Sequence, residues 1–363
     1  MSLVPKHIKN LSPYKPGKTI DSVKKKYNLD RIIKLASNEN PLGPSLKSID
    51  AALNILKNSH RYPDASGLEL RQKLATKFNV DLDNVVLGSG SEGIMSSIMR
   101  TFLRENDELI SAENSFIGFK VLANASGKKV VWVPKKDYRY DLKSIVNQIN
   151  KNTKIIYIAN PDNPTGTYIS KDEFDFFMSK VPDRVLVILD EAYFEYAENI
   201  KDYPDSMLYR YDNVITLRTF SKVHGLAGFR VGYGFAHHEL INNLMKVKLP
   251  FEPSSISQEA AIAALDDKEH LNKTIELNNQ EMNLMISHLN KMRMDFIPSA
   301  GNFITIVFDS RDNVINLVQY LLENGIIVRD LVGFGLPDCI RVTIGTGEEN
   351  QFFIDKMREY LNK

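Results

Sequence analysis

Short apolar runs rich in β-branched residues alternate with helix-length segments over residues 45–250. We predict strands at residues 85–87, 109–111, 129–133, 155–158, 185–189, 214–217 and 230–235. Helices are predicted between several of these strands, at residues 92–102, 116–125 and 171–180. Strands that alternate with helices form a mostly parallel sheet covered by helices on both faces. The sequence therefore predicts an α/β protein whose ligands bind beyond the carboxyl ends of the strands.

The pattern changes after Pro250. A helical tract at 257–289 is followed by predicted strands and helices at residues 303–307, 313–324, 326–328, 339–344 and 349–361. Residues 251–363 are therefore predicted to form a smaller α+β C-terminal domain beside a large domain at 41–250. Residues 1–40 are rich in Pro, Lys and Tyr, and they predict an extended N-terminal arm.

Composition limits the class of protein. The 46 Lys and Arg residues nearly balance the 45 Asp and Glu residues, so neither nucleic acid nor an anionic membrane is indicated as a partner. The single cysteine, Cys339, cannot form an internal disulfide, which favours a reducing cytoplasm. No run approaches the ~18 apolar residues of a spanning helix, and the N-terminus has no apolar signal region. We expect a soluble cytoplasmic protein.

A lysine follows the apolar run at 214–217, in the segment 219–230 (TFSKVHGLAGFR). An amine held there can condense with an aldehyde. The hydroxyls of Thr219 and Ser221 and the guanidinium of Arg230 complement a phosphate. The segment therefore indicates a covalently held phosphorylated aldehyde, pyridoxal phosphate, at Lys222. Taken alone, it is equally compatible with a glycine-rich turn that carries a solvated lysine.

A second glycine-rich segment competes with this interpretation. Gly88, Gly90 and Gly93 match G-x-G-x-x-G after an apolar run and before a helix, and Glu113 lies about 20 residues further on, as in a dinucleotide site. Backbone N–H groups at a helix N-terminus bind any phosphate, however. The motif alone leaves a dinucleotide, a single phosphate at Ser91 and Glu92, and a structural turn all open.

Further polar residues fall at strand ends of the same predicted sheet and favour pyridoxal phosphate. Asp190 can hold the proton on a pyridine nitrogen, and Asn163 and Tyr193 can bind the 3-oxygen of the ring. Phe116 can stack on the ring. Each residue alone has an ordinary explanation, such as a turn or a helix cap. Their joint position at one sheet edge, with Lys222, predicts a cofactor site.

These motifs resemble those of the fold-type-I pyridoxal-phosphate aminotransferases, over essentially the whole chain. The resemblance rests on residues 163–166 (NPTG) and 190–193 (DEAY), on Ser221-Lys222 and on Arg230. It narrows to the histidinol-phosphate aminotransferases through residues 12–17, 38–44, 61–64, 220–234 and 335–345. It implies a large domain, a small domain and an arm that packs with the small domain and with a partner subunit.

The resemblance also implies roles for individual residues. Lys222 forms the internal aldimine and moves the proton in the 1,3-shift, while Asp190 pairs with the ring nitrogen and Asn163 and Tyr193 with the 3-oxygen. The cofactor phosphate is surrounded by Ser91, Glu92, Thr219, Ser221 and Arg230. Tyr62 reaches that phosphate from the neighbouring subunit, which implies a homodimer.

Substrate binding is implied for a separate set of residues. Arg341 matches the arginine that binds the carboxylate of glutamate or 2-oxoglutarate. Tyr14, Arg329 and Arg341 fall where the family binds the substrate phosphate, and Asn302 lies beside that pocket. Two positions depart from the common pattern: Phe116 stands where many relatives have tyrosine, and Gly93 replaces an acidic residue.

The expected reaction is transamination between histidinol phosphate and 2-oxoglutarate, which gives imidazole-acetol phosphate and glutamate. The alternatives within the cofactor class are an aromatic amino-acid aminotransferase and a phosphothreonine-type decarboxylase. A dehydrogenase and a non-catalytic cofactor sensor are disfavoured. No metal is expected, because His237 and His238 would point to opposite faces of a strand, and His224 is interpreted as structural.

Overall fold

The computed structural model describes residues 3–13 and 17–362. The predicted strands of the first 250 residues form one seven-stranded sheet in the order β2-β8-β7-β6-β5-β3-β4. Its strands are β2 (Val85–Gly88), β3 (Glu108–Ala112), β4 (Lys129–Val133), β5 (Thr153–Ala159), β6 (Leu186–Asp190), β7 (Val214–Thr219) and β8 (Gly232–Phe235). Five neighbouring strands pair in parallel, and β8 is antiparallel to both β7 and β2. The predicted mostly parallel sheet is confirmed.

Helices cover both faces of this sheet, because apolar side chains emerge on both sides of its buried central strands. The helices of this part of the chain are α3 (Leu46–Leu56), α4 (Leu68–Phe78), α5 (Gly90–Phe102), α6 (Ile117–Ala125), α7 (Leu142–Asn147), α8 (Lys171–Met178), α9 (Phe194–Ala197), α10 (Ser206–Tyr209), α11 (His238–Val247) and α12 (Ser255–Asp266). Helices α5, α6 and α11 share one core with the sheet, whereas α7 and α8 contribute to a second core. The α/β architecture thus follows from the sequence pattern.

A second sheet has five strands in the order β1-β11-β12-β10-β9. They are β1 (Ile33–Leu35), β9 (Asp295–Ile297), β10 (Phe303–Val307), β11 (Ile326–Asp330) and β12 (Cys339–Thr343). Helices α13 (Lys268–Lys291), α14 (Arg311–Glu323) and α15 (Gly347–Leu361) complete its core. β1 pairs with β11 in parallel, so a strand of the N-terminal segment belongs to this sheet.

The N-terminal segment also contains two helices, α1 (Lys6–Lys9) and α2 (Ile20–Tyr27). Val23 of α2 packs with Leu322 and Ile327. Beside β2, at the edge of the large sheet, α12 packs with α3 and α4. The domain bounds 1–40, 41–250 and 251–363 stay predictions.

Three local expectations were wrong. The helical tract at 257–289 is two helices, because Asp267 leaves the helical conformation and its side chain accepts the amide of His270 at the start of α13. Arg230 does not begin a strand: it has φ +52° and precedes β8 by two residues. The rings of His237 and His238 lie 4.0 Å apart where α11 begins, rather than on opposite faces of a strand.

Two kinds of feature are absent from the described residues. Within them, no helix is long and apolar enough to cross a membrane. The same part of the chain holds no group of three His, Cys, Asp or Glu side chains that could hold a metal ion.

Candidate active site

A cavity of about 360 Å³ opens at the carboxyl ends of β5, β6 and β7. Parallel strands end on one edge of the sheet, so the polar residues that follow them meet there. Ten of the eleven residues predicted to bind a cofactor line the cavity: Ser91, Glu92, Phe116, Asn163, Asp190, Tyr193, Thr219, Ser221, Lys222 and Arg230. Ser37, Gly90, Ala159, Pro161, Ala192 and Ala227 complete the lining.

Asp190 is the last residue of β6 and is 4% exposed. Its Oδ2 atom accepts a hydrogen bond of 2.8 Å from the Tyr157 hydroxyl, whereas the buried Oδ1 atom has no well-aligned hydrogen bond among the described residues. Burial raises the pKa of Asp190 to about 7, against the opposing effects of Tyr157 and the Ala192 amide. A buried acceptor without a donor is costly. The carboxyl is therefore suited to a ligand that brings an N–H group.

The hydroxyl of Tyr193 lies at the centre of a buried hydrogen-bond network. It accepts from Asn163 Nδ2 at 3.3 Å and from Asn38 Nδ2 at 2.8 Å. The other atom of the Asn163 amide, Oδ1, accepts a hydrogen bond from Nη1 of Arg341. The network joins the ends of β5 and β6 to strand β12 of the second sheet.

The cavity has a recess where α5 begins, lined by Gly90, Ser91 and Glu92. Ser89 precedes the helix without a side-chain capping bond, so the amides of Gly90, Ser91 and Glu92 are left for another acceptor. A Cβ atom on Gly232 would lie 2.6 Å from the Ser91 nitrogen, so β8 must carry glycine there. The recess therefore depends on close packing between β8 and the first turn of α5.

Hydroxyl and guanidinium groups close the recess from the opposite side. Thr219 Oγ1 lies 3.0 Å from Ser221 Oγ, and Arg230 Nη1 lies 3.5 Å from the same Ser221 oxygen. Arg230 Nη2 is also 3.6 Å from a carboxylate oxygen of Glu92, both side chains being about half exposed. Helix amides, two hydroxyls and a guanidinium together are a donor set for a dianion.

Lys222 and Phe116 stand on the cavity wall. Nζ of Lys222 donates to the Ser37 carbonyl at 3.3 Å and lies 5.5 Å from the centre of the Tyr193 ring. Phe116 is the residue directly before α6. A Cβ atom on Gly118 would lie 2.6 Å from the Phe116 ring, so the absence of a side chain at 118 leaves room for that ring.

Three of the four residues predicted to bind substrate lie outside this lining. Arg341 is 5% exposed on β12 and adjoins the site through Asn163, while Arg329 is its cross-strand partner on β11. Asn302 is buried and donates to the Asn38 carbonyl at 3.2 Å. Tyr14 lies outside the described residues. Tyr62 is 80% exposed and stacks on Phe251, away from this chain's cavity.

The sequence patterns did not identify two residues of the site, Asn38 and Tyr157. The motif segment 38–44 begins with Asn38, which in the structure is buried and has a left-handed φ of +55°. Tyr157 lies within an apolar strand and resembled a core residue. Its ring does stack on Phe119 at 4.0 Å, and its hydroxyl nevertheless reaches Asp190.

Comparison with known proteins identifies the class to which this fold and this site belong. The family model for aminotransferase class I and II matches residues 30–357. The chain therefore belongs to the class I and II aminotransferases, and it has the large-sheet and small-sheet architecture of fold type I.

Individual relatives indicate a narrower group within this class. The chain is 39% identical to histidinol-phosphate aminotransferase 1 of Nitrosococcus oceani, over 98% of this chain and 96% of that protein. It is 40% identical to the histidinol-phosphate aminotransferase of Geobacillus sp., over 98% and 97% of the two chains. A histidinol-phosphate aminotransferase structure from Sinorhizobium meliloti, in complex with pyridoxal-5'-phosphate, superposes with a TM-score of 0.91 at 25% identity, covering 100% of this chain and 98% of that one.

Proposed function

We propose that the chain binds pyridoxal 5'-phosphate and transfers the amino group of L-histidinol phosphate to 2-oxoglutarate, which yields imidazole-acetol phosphate and glutamate, a reaction of histidine biosynthesis. Full-length similarity to histidinol-phosphate aminotransferases supports the substrate. The cofactor is supported by one observation above all: the unsatisfied Asp190 Oδ1 atom shares a cavity with the amine of Lys222.

The residues present fit this cofactor. Asp190 supplies the acceptor that a protonated pyridine nitrogen needs, and Tyr193 supplies a hydroxyl for the 3-oxygen. The first turn of α5, with Thr219, Ser221 and Arg230, supplies donors for the phosphate. When bound, pyridoxal phosphate supplies an aldehyde that takes up an amino group and a ring that accepts electrons.

The protein's own groups direct the chemistry. Asp190 keeps a proton on the ring nitrogen, because its burial makes an unpaired carboxylate unfavourable. Lys222 Nζ would take the proton from the substrate carbon that bears the amino group and carry it to the carbon on the other side of the shared nitrogen, as a 1,3-shift requires. Phe116 holds the ring by stacking, and it does so without the hydroxyl that a tyrosine would add.

One pocket must accept two anions that differ in shape. Histidinol phosphate carries a distal phosphate and lacks a carboxylate beside its reacting carbon, whereas glutamate carries two carboxylates. A guanidinium binds either group bidentately, so Arg341 can serve both substrates. Arg329 on the neighbouring strand supplies the second charge that a phosphate dianion favours. An aromatic amino-acid aminotransferase would instead need an apolar pocket for the distal group.

A substrate panel tests the proposed reaction. We expect the value of kcat/KM for histidinol phosphate to exceed that for phenylalanine, with 2-oxoglutarate as the acceptor. Preference for phenylalanine would favour an aromatic amino-acid aminotransferase. Release of CO₂ from an amino-acid phosphate would favour a decarboxylase. Either result would contradict the substrate proposed here.

The active unit is proposed to be a cytoplasmic homodimer in which Tyr62 reaches the cofactor phosphate of the partner. Tyr62 and the stacked Phe251 are exposed, and α3 exposes Leu46, Leu53 and Leu56. Clustered exposed apolar side chains are typical of a subunit interface. The single cysteine, Cys339, is buried and free, which suits a reducing compartment.

Complementation between two inactive variants tests the contribution of Tyr62. Lys222→Ala and Tyr62→Ala homodimers should each lose activity. If Tyr62 acts across the interface, a mixed dimer contains one site with both residues intact and regains activity. If Tyr62 acts within its own chain, every site of the mixed dimer lacks one of the two residues, and no activity returns.

A further inference from the structure

The Tyr193 hydroxyl receives two hydrogen bonds from side-chain amides. Asn38 Nδ2 lies 2.8 Å from the phenol oxygen and Asn163 Nδ2 lies 3.3 Å from it. Tyr193 is 3% exposed, Asn38 is 1% exposed and Asn163 is 9% exposed, so water does not compete freely for these groups. The direction in which each amide donates therefore matters for the position of the phenol proton.

The orientation of both amides is fixed by their other partners. Asn163 Oδ1 faces Nη1 of Arg341, and a guanidinium can only donate. The hydroxyl of Thr343 accepts the backbone N–H of Asn38 at 2.9 Å, and its proton is then directed to Asn38 Oδ1 at 3.1 Å. Both amides must consequently turn their NH₂ groups toward Tyr193.

A phenol oxygen has acceptor capacity for these two N–H groups and a single proton of its own. Since neither amide presents an acceptor to it, that proton must point elsewhere, and Tyr193 lines the cavity. We propose that Asn38 is a positioning residue for the proposed transamination: it directs the Tyr193 proton into the cavity, toward the 3-oxygen of the cofactor. This inference rests on the function proposed above.

The conformation and the hydrogen bonds of the Asn38 backbone fix the position of this residue. Its φ of +55° is left-handed, a conformation that asparagine and glycine adopt more readily than other residues. Its carbonyl accepts from Asn302 Nδ2 at 3.2 Å, and its amide donates to Thr343 of β12. Asn38 thus links the five-stranded sheet, which carries Arg329 and Arg341, to the hydroxyl that faces the cofactor.

Two substitutions remove the donor while respecting the backbone. Asn38→Gly keeps the left-handed conformation available, and Asn38→Asp keeps the shape of the side chain but presents an acceptor to Tyr193. Asn79→Gly is the matched control, because Asn79 also has a left-handed φ, +51°, and is exposed at the end of α4. Thermal unfolding of all three variants reports any general loss of stability.

The readout is the pH midpoint at which the visible absorption of the cofactor-loaded protein changes. Without a directed Tyr193 proton, the 3-oxygen holds the proton on the Lys222 nitrogen more firmly. Both Asn38 variants should raise the midpoint by about 0.5–1 pH unit, the equivalent of one hydrogen bond. The Asn79→Gly protein should keep the wild-type midpoint.

A double-mutant cycle separates positioning from a structural role. In a Tyr193→Phe background, Asn38→Gly should produce no further shift of the midpoint, since the proton it directs is absent. An unchanged midpoint in both Asn38 variants, or an equal shift in the Tyr193→Phe background, would overturn the inference. A wild-type protein that shows no cofactor absorption at all would contradict the proposed function instead.

Discussion

Arg329 and Arg341 are paired directly across the antiparallel strands β11 and β12. Residues that are paired in this way point to the same face of a sheet. Both guanidinium groups also approach the Phe334 ring, at 5.7 Å and 5.8 Å from its centre. Two cations held side by side favour a ligand with two negative charges, and this relationship motivates the assignment of a phosphate-bearing substrate.

Arg329→Gln should therefore affect the two substrates differently. Loss of one charge-assisted contact of about 1.5–3 kcal/mol should raise KM for histidinol phosphate about 10- to 100-fold. KM for 2-oxoglutarate should rise less, because Arg341 remains. Steady-state kinetics with each substrate varied in turn measures the difference. Equal increases in KM for both substrates would show that Arg329 does not recognise the phosphate.

Asp190 should make the stability of the cofactor-free protein depend on pH. Burial raises the pKa of this carboxyl from 3.8 to about 7 in the folded state, so the folded protein binds the proton more tightly than the unfolded chain. Stability is therefore lost as the pH rises from about 4 to about 7. Asp190→Asn abolishes this ionisation. The Tm of the cofactor-free variant minus that of cofactor-free wild type should therefore increase over the same pH range.

Thermal unfolding of both proteins at several pH values measures this effect. Burial also raises the pKa of Glu195 to about 7, but that group is common to both proteins and cancels in the comparison. Added pyridoxal phosphate should stabilise wild type more than the Asn variant. A difference in Tm that does not change with pH would show that Asp190 is not the buried acid described here.

Gly232 should be essential for the phosphate recess. A methyl group at this position would meet the backbone nitrogen of Ser91 at 2.6 Å and displace the start of α5. Gly232→Ala should cost about 1–3 kcal/mol, divided between protein stability and cofactor affinity. Gly228→Ala is the control, because a Cβ atom at 228 would have no neighbour within 4 Å. Cofactor titration should show weaker binding by the first variant only, and equal affinities would contradict this packing argument.

Sequence patterns located the cavity lining because strand ends can be identified locally. Lys222 and Asp190 follow apolar runs, and parallel strands bring such positions to one edge. Asn38 could not be placed in this way, since its partners Tyr193 and Thr343 lie 155 and 305 residues away along the chain. Tyr157 was missed because an apolar run buried on both faces does not reveal which side chain carries a functional hydroxyl.

Arg230 shows a different limit of sequence patterns. The apolar run at 230–235 predicts a strand from its first residue, but the turn Ala227–Phe229 ends with Arg230 in a left-handed conformation. That conformation lies outside the ladder between β7 and β8, and the side chain reaches Ser221 from there. Arg230 does line the cavity, although its local structure differs from the predicted strand.

The proposed function depends most directly on the attachment of the cofactor to Lys222. Borohydride reduction of the protein loaded with pyridoxal phosphate, followed by peptide mass analysis, should place one cofactor on the peptide that contains Lys222. Lys222→Ala should lose both this attachment and transamination of histidinol phosphate. Attachment at a different lysine, or an active Lys222→Ala protein, would contradict the account.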